Sequence, residues 1–597
     1  MLKTIAELFS LLTSSQRKRF YLLQVLIIFM TFTEIASIFS IAPFMALIGD
    51  ISILERDNFL ATLYLKSNLE TYEFIFYTGI FVLIALTTAT IVSMYITWRL
   101  AMFPPKIGAE IAHRLYSYYL DKDFLFHTIG SSSNLTKKIA TETERVSQAI
   151  LSPLMQMNAR IVLVFSILFV MFLYDPFVII ISSIIFSIAY IILFKFVRTR
   201  LERNGKNISL MLSERFTLMS DSFGGIKDVL LLGRSNNFKQ LFFKTGNKLA
   251  YSEGNNIAMG LVPRYFMELL AFGAMIALVL YLIKTSQGNL SLILPIISVY
   301  ALAGMKLLPA ILLIYSSAAS VKGNLAAYEA IREDLKNINS ANVPVIKDGH
   351  NVRFKNYEIC LNEVVFTYPE KKNPTLKNLS LTIKPKTVVG FVGISGSGKS
   401  TLIDVITGLI KPQKGEVLID GTPLIKQNLR MWQNKIGLVP QSIFLTQGTI
   451  AENVAFGIPQ DLINYMQIEK ALKLANLEEL VSKLEKGVHS KVGERGVQLS
   501  GGQRQRIGIA RMLYNETEVL IFDEATSALD GITEKTIMDA IHDFTGKKTL
   551  IIIAHRLKTV KKCDEIFMMD KGQIIDAGTY EYLLQNNEQF KKMSEHA

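Results

Sequence analysis

Two regimes of hydrophobic patterning divide this chain of 597 residues. Before residue 320, apolar runs near 20–48, 74–98, 150–174, 177–197, 262–283 and 291–320 each reach the ~20 residues a helix needs to cross a bilayer. Beyond a polar linker that begins near 337, the apolar runs shorten to β-like stretches separated by turns. The pattern predicts six transmembrane helices followed by an α/β domain: residues 1–322 as the membrane domain, 323–350 as linker, and 351–597 as the second domain. The polar stretches 99–149 and 198–258 are too long for ordinary connections. Polar residues recur through them with helical spacing, so they read as helices continuing out of the bilayer. Short pieces near 121–128 and 223–232 sit at their far ends, as transverse helices touching a cytoplasmic domain or as simple turns. The segment 52–69 follows the first span, with Ile53, Leu60, Leu63 and Tyr64 approximating one face; a short surface helix and a plain loop both fit it.

Composition agrees with a membrane protein. Half of the residues are hydrophobic and only 19% are charged, which excludes a disordered chain, and two cysteines exclude a disulfide scaffold. The net charge is 64 − 51 = +13, and its distribution carries the information. The connections 49–73, 175–176 and 284–290 hold three basic residues, whereas 99–149 holds seven and 198–248 holds ten. Basic residues mark the cytoplasmic side, so both termini lie inside. Six spans also remove a nucleic-acid partner as the reason for the charge.

Ionisable residues within the spans are costly and mark function by default. Glu34, Arg160, Arg264, Glu268 and Lys306 stand in such places. Arg264 and Glu268 are four apart, which also suits an intrahelical ion pair. Lys306 lies ~22 Å along its helix from residue 291. Facing a cavity, it would attract an anionic substrate group such as a phosphate; snorkelling, or pairing with Glu34, would also satisfy it.

The second domain carries three motifs in order. GISGSGKS, Gly393 to Ser400, follows the apolar run VVGFV and precedes the helical TLIDVITGLI. This is a phosphate loop: Gly393, Gly396 and Gly398 let backbone amides converge on phosphate oxygens, with Ser395, Ser397 and Thr401 around them. Lys399 would reach the β- and γ-phosphates, and Ser400 would hold Mg²⁺. VLIFDE ends a hydrophobic strand in Asp523, suited to Mg²⁺, and Glu524, suited to aligning and deprotonating water. Between them stands LSGGQRQR, Leu499 to Arg506.

With these residues in place, the second domain resembles the nucleotide-binding cassette of the ABC transporters, and six spans before one cassette resembles the exporter half-transporter. The resemblance implies ATP and Mg²⁺ as ligands and ATP hydrolysis coupled to transport. It implies that Tyr368 stacks on adenine, that Gln441 touches Mg²⁺ and the attacking water, and that His555 holds the γ-phosphate and Glu524. It further implies that Ser527 to Asp530 crosses between two cassettes, and that VGERG (492–496) touches transverse helices. Ser500, Gly501, Gly502 and Gln503 would bind the γ-phosphate held by another cassette, so turnover would need a dimer, here a homodimer with two working sites.

For cargo, the layout, the segment 52–69, VPRYFMELL from Val262 and GMKLLP from Gly304 are similar to the PglK-type flippases of bacterial lipid-linked oligosaccharides. That likeness implies a polyprenyl-pyrophosphate glycan moved across a bacterial inner membrane, among membrane lipids, with Arg264, Lys306 and Glu34 in the substrate cavity. A lipopolysaccharide-type lipid, a drug or a peptide is the alternative cargo. A non-transporting regulator or channel is disfavoured by the intact hydrolytic motifs.

Overall fold

The computed structural model describes the chain apart from residues 1–5, 8, 11, 50, 52–53, 55–58, 68, 175, 286–289, 341–353, 494–495, 497–498, 526–530, 555 and 596–597. It divides into two compact units, the bulk of one ending at Val343 and the bulk of the other beginning at Pro344.

The first unit is helical. Its principal helices are α1 (Ser14–Phe39), α2 (Ile41–Gly49), α3 (Phe59–Ser67), α4 (Thr71–Leu120), α5 (Phe124–Ile129), α6 (Ser152–Tyr174), α7 (Pro176–Gly224), α8 (Ile226–Leu231), α9 (Ser235–Leu261), α10 (Pro263–Thr285) and α11 (Leu290–Ser340). Among the described residues, six helical stretches are long and apolar enough to cross a membrane. Leu83, Ile84 and Ile91 on α4, and Ile184, Ile188 and Ile191 on α7, are exposed, a surface that suits hydrocarbon and not water. The extensions predicted at 99–149 and 198–258 are largely helical, α4 alone running 50 residues. Short helices form at both far ends, α5 and α8.

Close backbone approach shapes this unit. α4 continues through Pro104 and Pro105, although each ring removes one amide donor. The hydroxyl of Ser147 donates to the Pro104 carbonyl at 2.7 Å. It gets there because Gly108 has no side chain: a Cβ at 108 would lie 2.7 Å from that of Ser147. α7 and α11 meet at Gly205 and Gly323, where a Cβ on Gly205 would lie 2.3 Å from the Gly323 carbonyl oxygen. Small residues at such crossings let helices pack where lipid supplies no hydrophobic drive.

One expectation changes here and another is narrowed. The stretch 323–340, expected as linker, completes α11, because Leu325, Tyr328, Ile331 and Leu335 recur at helical spacing and are buried. In the segment 52–69, the part 59–67 is helix α3. Leu60 and Tyr64 pack against a cluster of Leu47, Leu54 and Phe74, while Leu63 is exposed; Ile53 lies outside the described residues.

The second unit holds two sheets. The strands are β1 (Ile359–Phe366), β2 (Leu376–Ile383), β3 (Val388–Val392), β4 (Lys414–Ile419), β5 (Thr422–Pro423), β6 (Ile436–Val439), β7 (Val519–Asp523), β8 (Thr549–Ile553), β9 (Glu565–Asp570) and β10 (Gln573–Gly578). An antiparallel sheet is ordered β2-β1-β4-β5, and a larger one β10-β9-β3-β8-β7-β6. In the larger sheet β9, β3, β8, β7 and β6 are parallel, with β10 antiparallel at the edge. β3 and β8 are buried at every position, which is why VVGFV and TLIII read as continuous apolar runs without alternation. Parallel strands end at one edge, and in such sheets ligands bind beyond the carboxyl ends.

Candidate active site and membrane cavity

The chain leaves β3 directly into the phosphate loop, and α12 (Lys399–Ile406) begins at its end. Three glycines make the turn possible. Gly396 and Gly398 have φ of +82° and +105°, in the left-handed region that side chains avoid. Gly393 passes so near β9 that a Cβ would lie 2.2 Å from the Met569 carbonyl oxygen. The Lys399 ammonium folds back over the loop, donating to the carbonyls of Gly393 at 2.8 Å and Ile394 at 3.1 Å. Burial pushes its pKa below the ordinary lysine value, opposed by the nearby Glu524 and Asp523 carboxylates. Ser397 is buried beneath the loop, while Ser395 and Ser400 are exposed. Tyr368, two residues beyond β1, places its hydroxyl 3.3 Å from the Thr401 hydroxyl, and the Lys371 ammonium lies 5.6 Å from its ring centre.

Because β8 lies between β3 and β7, the end of β7 comes to the same edge as the phosphate loop. Asp523 closes β7, opposite Ile553 of β8. Glu524 follows with φ of +50°, a conformation rare for a non-glycine residue and frequent at functional positions. Its amide donates to the Ile553 carbonyl at 3.2 Å. Gln441, just past β6, donates from Nε2 to Glu524 Oε2 at 2.7 Å, so strand ends 83 residues apart in sequence hold one carboxylate between them. A carboxylate so held has the chemistry to take a proton from water. Beneath it, burial and then the Asp523 carboxylate push the Asp404 carboxyl up to about 6.

The LSGGQRQR motif starts a helix, α13 (Gly501–Tyr514). Ser500 is its N-cap: its hydroxyl accepts from the Gln503 amide at 3.2 Å, and Gln503 Oε1 accepts from the Ser500 amide at 2.9 Å. Gly501 and Gly502 form the first turn, whose amides point outward at the positive end of the helix dipole. His555, Asp530 with the rest of 527–530, and Glu494 and Arg495 of VGERG lie outside the described residues.

In the membrane unit, a cavity of about 540 Å³ is lined by residues of α1, α4, α6 and α11, among them Glu34, Ser93, Arg160 and Lys306. Glu34 is 8% exposed, and its Oε1 accepts from the Ser93 hydroxyl at 2.8 Å. The structure thus brings Glu34 and Lys306 to one cavity and adds Arg160. Arg264 does not line it; its Nε lies 2.5 Å from Glu268 Oε1 on an exposed part of α10. The ion pair between neighbouring helical turns satisfies it there. Ser93 was missed from sequence, although Thr90, Ser93 and Thr97 stand at helical spacing in an apolar run, and all three line the cavity.

The family model described as ABC transporter matches residues 376–527. The ATP-dependent lipid A-core flippase of Pectobacterium atrosepticum is 30% identical over 489 residues, 81% of this chain and 82% of that protein. The chain belongs to the ABC transporters. The multidrug resistance-like ATP-binding protein MdlA of Buchnera aphidicola is another ABC relative by sequence, 30% identical over 550 residues, 90% of this chain and 91% of its own. The structure of a bacterial Atm1-family ABC exporter with ATP bound aligns over 97% of this chain and 98% of its own, with a TM-score of 0.76 and 22% identity, which shows the exporter fold.

As an ABC exporter the chain is a multi-pass membrane protein that hydrolyses ATP to drive transport, using Mg²⁺. The phosphate loop fits that nucleotide, since its path excludes any Cβ at Gly393 and presents backbone amides at the start of α12. Ser400, Asp523 and Gln441 carry side-chain oxygens of the kind that Mg²⁺ requires and would be the residues to hold it. When bound, the ion neutralises charge on the phosphates.

Proposed function

We propose that this protein is a homodimeric, ATP-driven flippase of a lipopolysaccharide-type lipid, acting in a bacterial inner membrane with its cassettes in the cytoplasm. The observation that carries this reading is the reach of the likeness to lipid A-core flippases. It extends over 489 residues, far more than the cassette unit contains, and so includes the helices that would hold cargo. Arg160 and Lys306 in the membrane cavity suit a phosphorylated head group.

In this reading Lys399 and the loop amides hold the phosphates of ATP, and Tyr368 stacks on its base. Ser400, Asp523 and Gln441 hold the metal. Glu524, positioned by Gln441, takes the proton of the attacking water, and His555 supports both. Ser500, Gly501, Gly502 and Gln503 present the α13 N-terminus to nucleotide on the partner cassette, with Asp530 in the connecting loop. ATP drives a change of state by binding one state better than the other.

A second reading, a flippase of polyprenyl-pyrophosphate oligosaccharides, is favoured by α3, the short helix between the first two spans. Purified protein in liposomes decides between them. ATP-dependent leaflet exchange of a fluorescent lipid A is the expected result. Movement of the polyprenyl glycolipid alone would select the second reading, and hydrolysis without movement of either would refute both. Lys306→Ala should reduce exchange roughly tenfold, on the scale of one hydrogen bond to a charged group, while basal hydrolysis changes little.

A further inference from the structure

Glu34 has a feature that binding a phosphate does not explain. Its side chain is buried in the middle of an apolar helix, 8% exposed, and lines the cavity. Oε1 is satisfied by Ser93, whereas Oε2 is buried with no hydrogen-bond partner among the described residues. A carboxylate oxygen in that position is costly unless a donor reaches it. Arg160 and Lys306 line the same cavity, yet neither comes within ion-pair distance of a carboxylate among the described residues. The cavity therefore offers two cationic donors and, separately, one carboxyl acceptor that is already oriented by a hydroxyl.

A head group that carries phosphate alone would engage the two cations and leave this acceptor unmatched. We infer that the cavity recognises a zwitterionic lipid head group, in which a primary ammonium donates to Glu34 Oε2 while the adjoining phosphate is held by Arg160 and Lys306. The volume of about 540 Å³ accommodates a group of that size. Ser93 acts as a positioning residue: by occupying Oε1 it fixes the rotamer and leaves Oε2 as the acceptor still to be matched. This rests on the flippase reading for its cargo class, and it adds what the head group must carry besides phosphate.

The test is binding by the full-length protein in maltoside micelles, measured by fluorescence anisotropy. The probes are a short-chain fluorescent phosphatidylethanolamine and its N-acetyl derivative, which keeps the phosphate and loses the ammonium. Wild type should bind the amine lipid roughly 10- to 100-fold more tightly, the scale of a hydrogen bond to a charged group. Glu34→Gln should remove that preference by weakening the amine lipid alone. Lys306→Met should weaken both lipids by one common factor. Equal affinities in the wild type, which needs no variant to fold, would overturn the inference; so would a Glu34→Gln protein that keeps the preference. Leaflet exchange in liposomes, read in parallel, separates the two ideas. Discriminating binding without ATP-driven movement sinks the flippase reading and leaves this one standing. Movement of both lipids with no preference for the amine does the reverse.

Discussion

In the cassette the candidate functional residues follow the ends of apolar strands, whereas in the membrane unit the candidates stand within apolar helices. The difference follows from where backbone polar groups are already satisfied. A buried parallel strand gives its amides and carbonyls to its neighbours, and only past its last residue is the backbone free to turn towards a ligand. Gly393, Gln441 and Glu524 all occupy such ends, of β3, β6 and β7. A membrane helix satisfies its own backbone throughout, so any ligand must be met by side chains. These come from several helices at once: Glu34, Ser93, Arg160 and Lys306 belong to four.

The strongest way to break this contrast is to remove the carboxylate at the β7 end. Glu524→Gln keeps the hydrogen-bonding shape beside Gln441 but cannot take a proton. It should lower ATP hydrolysis by roughly 10²–10⁴-fold, the usual weight of a general base, while nucleotide binding persists. Hydrolysis and binding measured on the same preparation check it, and near-normal turnover would remove Glu524 from the role of base.

A paired substitution compares how each half tolerates crowding. Gly393→Ala and Gly205→Ala each drive a Cβ against a backbone carbonyl, at 2.2 Å and 2.3 Å. Each should destabilise its unit by ~1–3 kcal/mol or more. Gly393→Ala should abolish nucleotide binding and leave the membrane unit folded. Gly205→Ala should lower the melting temperature while bound nucleotide is still detected. If both variants lost nucleotide binding to the same degree, the two units would not be behaving independently.

These two halves also differ in what the sequence makes visible. The phosphate loop is eight consecutive residues, because one strand end and one helix start build it. The parallel strands were legible as apolar runs, and six spans were legible by length. What could not be read was convergence. Nothing local in the chain says that Glu34 meets Ser93, since the contact depends on how α1 packs beside α4. For Arg264 the four-residue spacing to Glu268 offers an ion pair in the sequence itself, and the fold selects that pair over the cavity. The linker was misplaced for a related reason. The stretch after 322 is polar on one face only, and its apolar face at Leu325, Tyr328, Ile331 and Leu335 packs against elements far away in sequence.

Burial of a carboxyl near another carboxylate should reveal itself in pH dependence within the cassette. Asp404 titrates at about 6 in the folded protein against an ordinary value of 3.8. The folded state therefore holds its proton more tightly, and this residue's contribution falls as pH rises between those values. Asp404→Asn, which never ionises, should melt at the same temperature as wild type near pH 4 and a few degrees higher above pH 6. Melting curves without nucleotide across that window check the sign. A gap that is constant with pH would mean that the carboxyl does not change its charge there.

The smallest effect expected is at Arg264, and its smallness is informative. Both Arg264 and Lys306 are cations within apolar helices, but only Arg264 has an acid, Glu268, four residues away in sequence. In the structure Arg264 is exposed and paired at 2.5 Å with Glu268 one turn away, while Lys306 lines the cavity with no such pair among the described residues. Exposed pairs of this kind contribute little to stability, and Arg264 is not among the residues lining the cavity. Arg264→Ala should therefore change lipid exchange and ATP hydrolysis by less than about twofold, against the tenfold expected for Lys306→Ala. Exchange rates for the two variants, taken in the same liposomes, test this directly. If Arg264→Ala proved as damaging to transport as Lys306→Ala with hydrolysis intact, the cargo path would have to include α10, and the boundary drawn around the cavity would be wrong.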